Sequence, residues 1–390
     1  MKDTKVTRIL CLVSRLFVGL VFIFSGFVKG VDPLGTSYKI VDYMTNWTIG
    51  PVNFLWATPL ATPLSVILVV LEFTVGVMLI TNSYRKLTSW ILMLMMVFFT
   101  CTTLADAITN KVDDCGCFGD AVKLTNWQTF WKNVVLMVPT IFLFLCRNWK
   151  RRRHFERETL IALIAIVGMV IFAMWNIKNE PCIDFRPWKV GNEMMPVSQS
   201  NLEVKSYLTY RNNETGEVIK FESKKMMDFV AADSTWTSHW TFVDSSVEDP
   251  YEIKADGFSM LGPDGDDYAK DIIGDAEYVL IGTIHSLDKV DAEGIRVLQE
   301  THEFCTNKGI DFVLLTSALD EEIQAFLYAN NLSEMAYYGA DATAIKAMMR
   351  SNPGLLLMKN AKVMGKWSFR KADEFQQYPF EFDNAADIDE

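Results

Sequence analysis

Phe17-Val18-Gly19-Leu20-Val21-Phe22-Ile23-Phe24-Ser25-Gly26-Phe27-Val28 carries no charge from end to end, and it sits inside a longer apolar stretch, residues 8 to 29. That stretch is close to the ~20 residues needed to cross a hydrocarbon core. Four more of the same kind follow at 60 to 81, 87 to 108, 128 to 146 and 159 to 176. Beyond Asn176 the chain turns to mixed charged sequence with ordinary strand and helix patterns, which holds most of the net charge of −11. The 390 residues, half of them hydrophobic, therefore read as an α-helical membrane bundle followed by an α/β domain. The expected division is a four-helix transmembrane domain over 1–150, a fifth span and juncture over 151–194, a β-rich insertion over 195–275 and a folded domain over 276–390.

Basic residues in short connections stay on the cytoplasmic side. Lys2, Lys5 and Arg8 precede the first span, Arg85 and Lys86 separate the second from the third, and Arg147 with Lys150 to Arg153 separate the fourth from the fifth. The loops near 30 to 59 and 109 to 127 carry few. In a bacterial cell this orientation puts the N-terminus in the cytoplasm, and the second loop and everything after Asn176 in the periplasm. The first stretch has no small-residue cleavage site after it and reads as a retained anchor.

Charges inside spans are costly and point to function or to a packing partner. Arg15 and Glu72, both counted as roughly 10 to 14 Å from the cytoplasmic ends of their spans, are expected to pair. A buried pair of this kind orients two helices more than it stabilises them. Lys29 and Asp106 lie at the outer ends of their spans and either pair similarly or extend toward the interface.

The loop between the third and fourth spans holds Cys115-Gly116-Cys117. Thr125 with Gln128 spells a capping box at the start of the fourth span, so free N–H groups and the positive helix end face the loop and favour thiolate. Asp113, Asp114 and Asp120 oppose that field. Gly116 permits the bend that brings near-neighbour sulfurs together. A disulfide closed over one residue constrains almost no chain, which suits exchange better than stapling. Three readings stand at this point: an exchanging redox pair, an inert loop disulfide or unpaired thiols, and a metal site. The last ranks below the others because no His lies nearby and two thiols do not complete a tetrahedral shell. Cys182, just beyond the fifth span on the same side, either resolves a mixed disulfide or is an isolated thiol. Cys11, Cys101 and Cys146 sit among apolar residues as small hydrophobes.

The run Arg15-Leu16-Phe17 through Phe27-Val28-Lys29, with Asp32-Pro33-Leu34-Gly35 after it, resembles the first helix and exit loop of DoxX-type membrane proteins, and Leu71-Glu72-Phe73 resembles that family's second-helix acid. Asp114-Cys115-Gly116-Cys117-Phe118-Gly119-Asp120 followed by Leu124-Thr125-Asn126-Trp127 is closer to the redox-associated MauE branch. The resemblance covers about the first 150 residues. It implies a four-helix bundle associated with thiol–disulfide chemistry in the cell envelope.

In the second half, Lys205 to Glu222 alternates as two strands around Asn213-Glu214-Thr215-Gly216. Residues 225 to 275 read as a loop-rich insertion, and Pro181, Pro187 and Trp188 are expected near the membrane interface. From Tyr278 the pattern is strand, helix, strand, helix, helix, strand, strand: 278–282, 291–308, 312–316, 321–330, 342–349, 354–358 and 361–367. Strands alternating with helices imply a sheet with a parallel portion. This order, with Asn352-Pro353-Gly354 before a late strand, resembles a thioredoxin-like domain. It departs from that family where a redox-active member carries Cys-x-x-Cys: here stands Thr283-Ile284-His285-Ser286-Leu287-Asp288. His285 and His302 are expected at the surface or as caps, and the domain reads as a binding module.

The functional expectation is an inner-membrane thiol–disulfide component that acts on an envelope protein through Cys115 and Cys117, with membrane lipid around it and a quinone as electron partner by analogy with other four-helix disulfide enzymes. Two other classes remain: a non-catalytic scaffold presenting a binding domain, and a solute or proton conduit around Arg15 and Glu72. No phosphate-binding glycine loop or basic nucleic-acid patch appears.

Overall fold

In the computed structural model, which describes residues 4–49, 52–112, 116–149, 154–196, 202–255, 257–274 and 276–382, the apolar stretches are helices. Cys115, with Asp113 and Asp114, lies outside the described residues. Five helical segments among the described residues are long and apolar enough to cross a membrane: Lys5–Val31, Leu55–Thr81, Arg85–Thr109, Asn126–Leu145 and Phe155–Lys178. The protein is thus a membrane protein with several apolar spans. The chain divides into two compact units, Met1–Arg186 and Pro187–Glu390.

In the first unit, α1 (Lys5–Val31) starts on a capping box made by Thr4 and Thr7 and stops at Asp32. Asp32 then caps α2 (Pro33–Asn46), its Oδ1 accepting the Gly35 N–H at 2.9 Å, with Pro33 in the first turn. This stretch, expected as loop, is helical from Pro33, in keeping with Asp followed by Pro as a helix-start signature. A short rung pairs β1 (Thr48–Ile49) with β2 (Val52–Asn53). A 3₁₀ turn over Leu55–Leu60 leads into α3 (Ala61–Thr81), followed by α4 (Arg85–Thr109), α5 (Asn126–Leu145) and α6 (Phe155–Lys178). Helix α1 packs on α3, α4 on α5, α6 on α3, and α2 on α3. Val18, Phe22, Val75, Leu79, Leu92, Met96 and Leu136 fill the centre. Many remaining apolar side chains point outward, as lipid requires. Cys101 is among those outward residues and not in the core, whereas Cys11 and Cys146 are buried as expected.

The second unit holds two sheets. β3 (Lys205–Asn212) pairs antiparallel with β4 (Val218–Glu222) across the Asn213–Gly216 turn. After α7 (Met226–Ala232) and α8 (Trp236–His239), β5 (Trp240–Glu248) returns to the other edge of β3, so the expected hairpin is a three-stranded sheet and part of the expected loop is its third strand. The rings of Tyr210, Phe221, Phe229 and Trp236 pack against one another beside it.

After α9 (Ala269–Gly274) comes a five-stranded sheet built from β6 (Val279–Ile284), β7 (Asp311–Thr316), β8 (Ala336–Gly339), β9 (Gly354–Lys359) and β10 (Lys362–Ser368), in the order β10-β9-β6-β7-β8. β6, β7 and β8 are parallel, while β9 runs antiparallel to both of its neighbours, β6 and β10. Helices α10 (Ala292–Lys308), α11 (Asp320–Ala329), α12 (Ala342–Met348) and α13 (Ala372–Gln376) connect and follow the strands. β6 is buried along its whole length because both faces are covered. Val279 and Ile281 enter one core with Val313, Leu356 and Met358, and Leu280 and Ile284 enter the other with Leu298, Leu314 and Leu357.

Trp188 is not an interfacial aromatic. It is fully buried in the first of these cores, 4.8 Å from Phe258 and edge-on to it. Residues 188–195 run along β10 as a strap, the Gly191 N–H donating to the Val363 carbonyl at 2.8 Å and the Met194 N–H to the Ala361 carbonyl at 2.8 Å. The backbone pairing holds Trp188 where apolar neighbours outweigh its preference for a headgroup layer.

Candidate functional site

Two close approaches set the register of α1 against α3. A methyl group on Gly26 would stand 2.6 Å from the Phe73 nitrogen, and one on Gly76 2.7 Å from the Ile23 nitrogen. Backbones therefore touch where side chains would forbid it, and Ser25 and Lys29, one helical turn apart, come to face Glu72. Lys29 Nζ donates to Glu72 Oε1 at 2.7 Å, with both residues buried. Ser25 Oγ lies 2.8 Å from Glu72 Oε2 and 2.8 Å from the Cys117 carbonyl oxygen.

The expected Arg15–Glu72 pair does not form. Glu72 binds Lys29 and Ser25, while Arg15 borders the α3–α4 turn beside Asn82, Ser83 and Arg85. Equal distances from the ends of the two apolar stretches do not put Arg15 and Glu72 at one level, because α1 begins at Lys5 and overshoots α3. With Gly19 packed against Gly76 and Leu79, one further turn of α1 reaches the end of α3. Asp106, fully buried, accepts the Tyr43 hydroxyl at 2.5 Å and is not the partner of Lys29.

The thiol loop closes over this end of the bundle. Thr125 and Gln128 make the expected capping box at the start of α5. Asn126 Nδ2 donates to the Val112 carbonyl at 2.9 Å, joining the two ends of the loop. Gly116 and Gly119 adopt positive φ, and the Gly119 N–H donates to the Gly116 carbonyl at 3.0 Å, a turn that carries Cys117 and Phe118. The Phe118 ring packs 5.5 Å from Phe24 of α1, under Lys132 of α5 at 4.3 Å.

Beneath Cys117 lies a cavity of about 430 Å³. Its walls are largely apolar, with Phe22, Leu68, Met96, Phe99 and Leu136 among them. The polar groups that reach it include Ser25, Lys29 and Glu72 from α1 and α3, Lys39 and Tyr43 from α2, and Lys132 from α5. A mostly apolar pocket of this size with a few polar groups is the usual form of a small-molecule site. The structure thus brings together Cys117, Lys29 and Glu72 from the residues singled out in the sequence, and adds Ser25, Tyr43, Lys39 and Lys132. Ser25 had a signal, since a hydroxyl four residues before a buried lysine shares its helix face. Tyr43 and Lys39 had one only through α2.

Cys182 is exposed and does not line the cavity. Its N–H donates to Asn176 Oδ1 at 3.0 Å, and Asn176 Nδ2 donates to the Gly30 carbonyl at 3.2 Å, which ties the segment after α6 to the end of α1. The Arg186 guanidinium, also buried, bonds Asp184 at 2.7 Å and Glu180 at 3.1 Å.

In the second unit the loop after β6 carries no thiol. The Asn352 side chain accepts the His285 N–H at 2.9 Å and donates to the Ser286 carbonyl at 2.8 Å, and the peptide bond from Asn352 to Pro353 is cis. His285 is half-buried rather than at the surface. Burial, and then Lys346, Lys289 and Arg350 nearby, lower its pKa to about 4. Cys305 is fully buried in α10, where burial pushes its thiol up to about 12. It is a core residue with negligible thiolate.

Comparison with known proteins bears on the first unit and on part of the chain. The family model for methylamine utilisation protein MauE matches residues 7–146. Among curated proteins, Protein TlpB of Flavobacterium psychrophilum is 25% identical over 166 residues, which are 41% of this chain and 43% of that protein. The chain thus spans less than half the length of that relative. No solved structure matches.

Proposed function

With a MauE-type bundle as its membrane half, we propose that this chain is a thiol–disulfide redox component of a bacterial inner membrane, with its N-terminus cytoplasmic and its thiol loop and second unit in the periplasm. The observation that carries the reading is the seat of Cys117 on the wall of an apolar cavity that also holds a buried Lys29–Glu72 pair. Small apolar pockets with convergent polar groups are ligand sites, and a thiol on the wall ties this one to sulfur chemistry.

The exchange runs by thiolate attack. Acting as oxidant, the loop disulfide is attacked by a client thiolate, forming a mixed disulfide and releasing one loop thiolate. A second client thiolate then attacks the mixed disulfide, so that the client leaves oxidised and Cys115 and Cys117 are left as a dithiol. Acting as reductant, the same steps run backwards. Cys182 is a further thiol on the same unit and a candidate for resolving the mixed disulfide.

Each turnover leaves two electrons and two protons to be exchanged with a second partner. A membrane quinone supplies that capacity. The cavity fits its chemistry: apolar walls suit a planar ring, and the ammonium groups of Lys29 and Lys132 are donors suited to carbonyl oxygens. The second unit supports a thioredoxin-like reading, through its strand order and Asn352-Pro353 ahead of β9. Lacking thiols after β6, it serves to hold the envelope client.

The test is acid-quenched alkylation of membranes with a mass-shifting reagent, with and without a permeant reductant and a quinone. Cycling of Cys115 and Cys117, and capture of a linked protein by Cys117→Ser, are the expected results. A pair fixed in one state, with function intact in Cys115→Ser/Cys117→Ser, would make the protein a scaffold that presents its second unit.

A further inference from the structure

The end of the bundle away from the thiol loop holds a second pair of thiols. Cys11 lies in the second turn of α1, roughly 20 Å along that helix from Ser25. Cys146 is the residue on which α5 ends. They are 4% and 0% exposed, and both belong to the core at the centre of the first unit. They face each other: the side chain of Cys146 has the Cys11 thiol as its hydrogen-bond partner.

A cation stands at the same place. Arg85, the first residue of α4, donates from Nη2 to Cys11 Sγ at 3.0 Å, and its guanidinium lies 5.4 Å from the centre of the Trp149 ring. The chain after α5 turns so that the Trp149 N–H donates to the Cys146 carbonyl at 3.2 Å. Arg85 is thereby held between the sulfur on α1 and the ring that follows Cys146, and it draws the start of α1 to the end of α5. An apolar core accepts a single cysteine as a small hydrophobe. It does not call for a second thiol against the first, nor for a guanidinium on sulfur where a carboxylate is the usual partner.

We propose that Cys11 and Cys146 are a second redox site, a buried dithiol that hydrogen peroxide converts into a disulfide joining α1 to the end of α5. The Cys11 sulfur attacks one peroxide oxygen, the O–O bond breaks, and Cys11 becomes a sulfenic acid as one water leaves. The Cys146 sulfur then attacks that of Cys11. The S–S bond forms, the S–O bond breaks, and the departing hydroxide takes the Cys146 proton to leave as a second water. Two electrons pass from the thiols to the peroxide, and no other reagent is consumed. Arg85 is a positioning residue, holding Cys11 toward Cys146. Peroxide is small and uncharged, so it suits sulfurs too deeply buried for a protein partner to attack.

In the orientation proposed above, this end of the bundle faces the cytoplasm, where thiols are kept reduced. The dithiol is then the resting form, and the disulfide is a transient response that a thiol reductant reverses. The bond closes a loop that contains most of α1 and all of α2 to α5, so oxidation fixes the cavity-bearing helices as one ring.

The test uses the full-length chain in membranes with Cys101, Cys115, Cys117 and Cys182 replaced by Ser, which leaves Cys11, Cys146 and Cys305. Cys305, fully buried in the second unit, is the internal control. After graded hydrogen peroxide and an acid quench, free thiols are blocked with N-ethylmaleimide and the peptides are read by mass. The expected product is one linked pair of peptides holding Cys11 and Cys146, two hydrogens lighter than their sum. It should migrate faster than the reduced chain on a non-reducing gel and return to two thiols with dithiothreitol, while Cys305 remains a thiol throughout. Arg85→Met is expected to slow the linking about tenfold, the effect of losing one charge-assisted hydrogen bond, and Arg85→Lys to recover part of that rate. An unchanged rate in Arg85→Met would overturn the role given to Arg85. The site itself is overturned if Cys11 and Cys146 stay thiols at doses that oxidise Cys305, if each reaches sulfinic acid unlinked, or if they link only between two chains. Where Arg85→Met does not assemble, the linked peptide from the chain that keeps Arg85 still decides. The thiol loop is absent from this background, so the result is independent of the exchange reading.

Discussion

Lys29 and Glu72 illustrate how a charge in a membrane span is tolerated. Each is buried, each has the other at 2.7 Å, and Ser25 fills the second carboxylate oxygen. Attraction and desolvation nearly cancel in such a pair, but removing one member strands the other. Glu72→Ala is therefore expected to destabilise the bundle by about 3–5 kcal/mol, while the double variant Lys29→Met/Glu72→Leu recovers most of that loss. Denaturation of the full chain in detergent, run on the single and double variants, checks this; equal losses in both would mean the pair contributes net stability. At this scale the sequence was partly legible. The charges were visible as anomalies among apolar residues, but their partners were not, because pairing depends on how two helices slide against each other.

That sliding is decided by the glycines of α1 and α3. Gly26 and Gly76 let the two backbones meet, and an added methyl at either would lie 2.6 to 2.7 Å from backbone of the facing helix. Gly26→Ala and Gly76→Ala are each expected to cost about 1–3 kcal/mol through overpacking and to separate Lys29 from Glu72. Gly168→Ala on α6, where an added methyl meets nothing within 4 Å, is the matched control. It should be neutral or slightly stabilising, since Ala is the better helix former. A loss at Gly168 as large as at Gly26 would show that the effect is not one of contact. The elements themselves were largely readable: five spans from length and hydropathy, the α5 cap from Thr125 and Gln128, and four strands of the second sheet from apolar runs, whereas the short, half-exposed edge strand β8 was not. Helix α2 escaped because its apolar positions are few and its start signal lies in what looked like an exit loop. β5 escaped because its exposed Phe242 and Val243 do not alternate with polar residues.

Across the whole molecule the two units differ in what surrounds them. The first turns apolar side chains outward and polar ones toward a cavity, while the second buries apolar residues on both faces of a sheet. The second is expected to respond to acid through His285. Its pKa of about 4 when folded, against 6.5 when free, means that the unfolded chain binds the extra proton between those values. Stability from this group is therefore complete above pH 6.5 and falls as pH drops toward 4, by roughly 3 kcal/mol in full. Unfolding of the full chain at pH 7 and pH 5, compared with His285→Gln, measures it; a pH slope unchanged in the variant would assign the acid response elsewhere.

Composition and order along the chain were enough to establish a helical membrane bundle joined to an α/β domain, and to mark the paired thiols, because hydropathy over ~20 residues and period-2 runs are local properties. Which charges meet, that Trp188 is a core residue, and that Cys117 sits above a cavity walled by α1 to α5 are not local. They follow from the register that close-packed glycines impose on α1 and α3 and from backbone pairing far along the chain. Only the folded molecule brings Ser25 to the Cys117 carbonyl, across 92 residues of sequence.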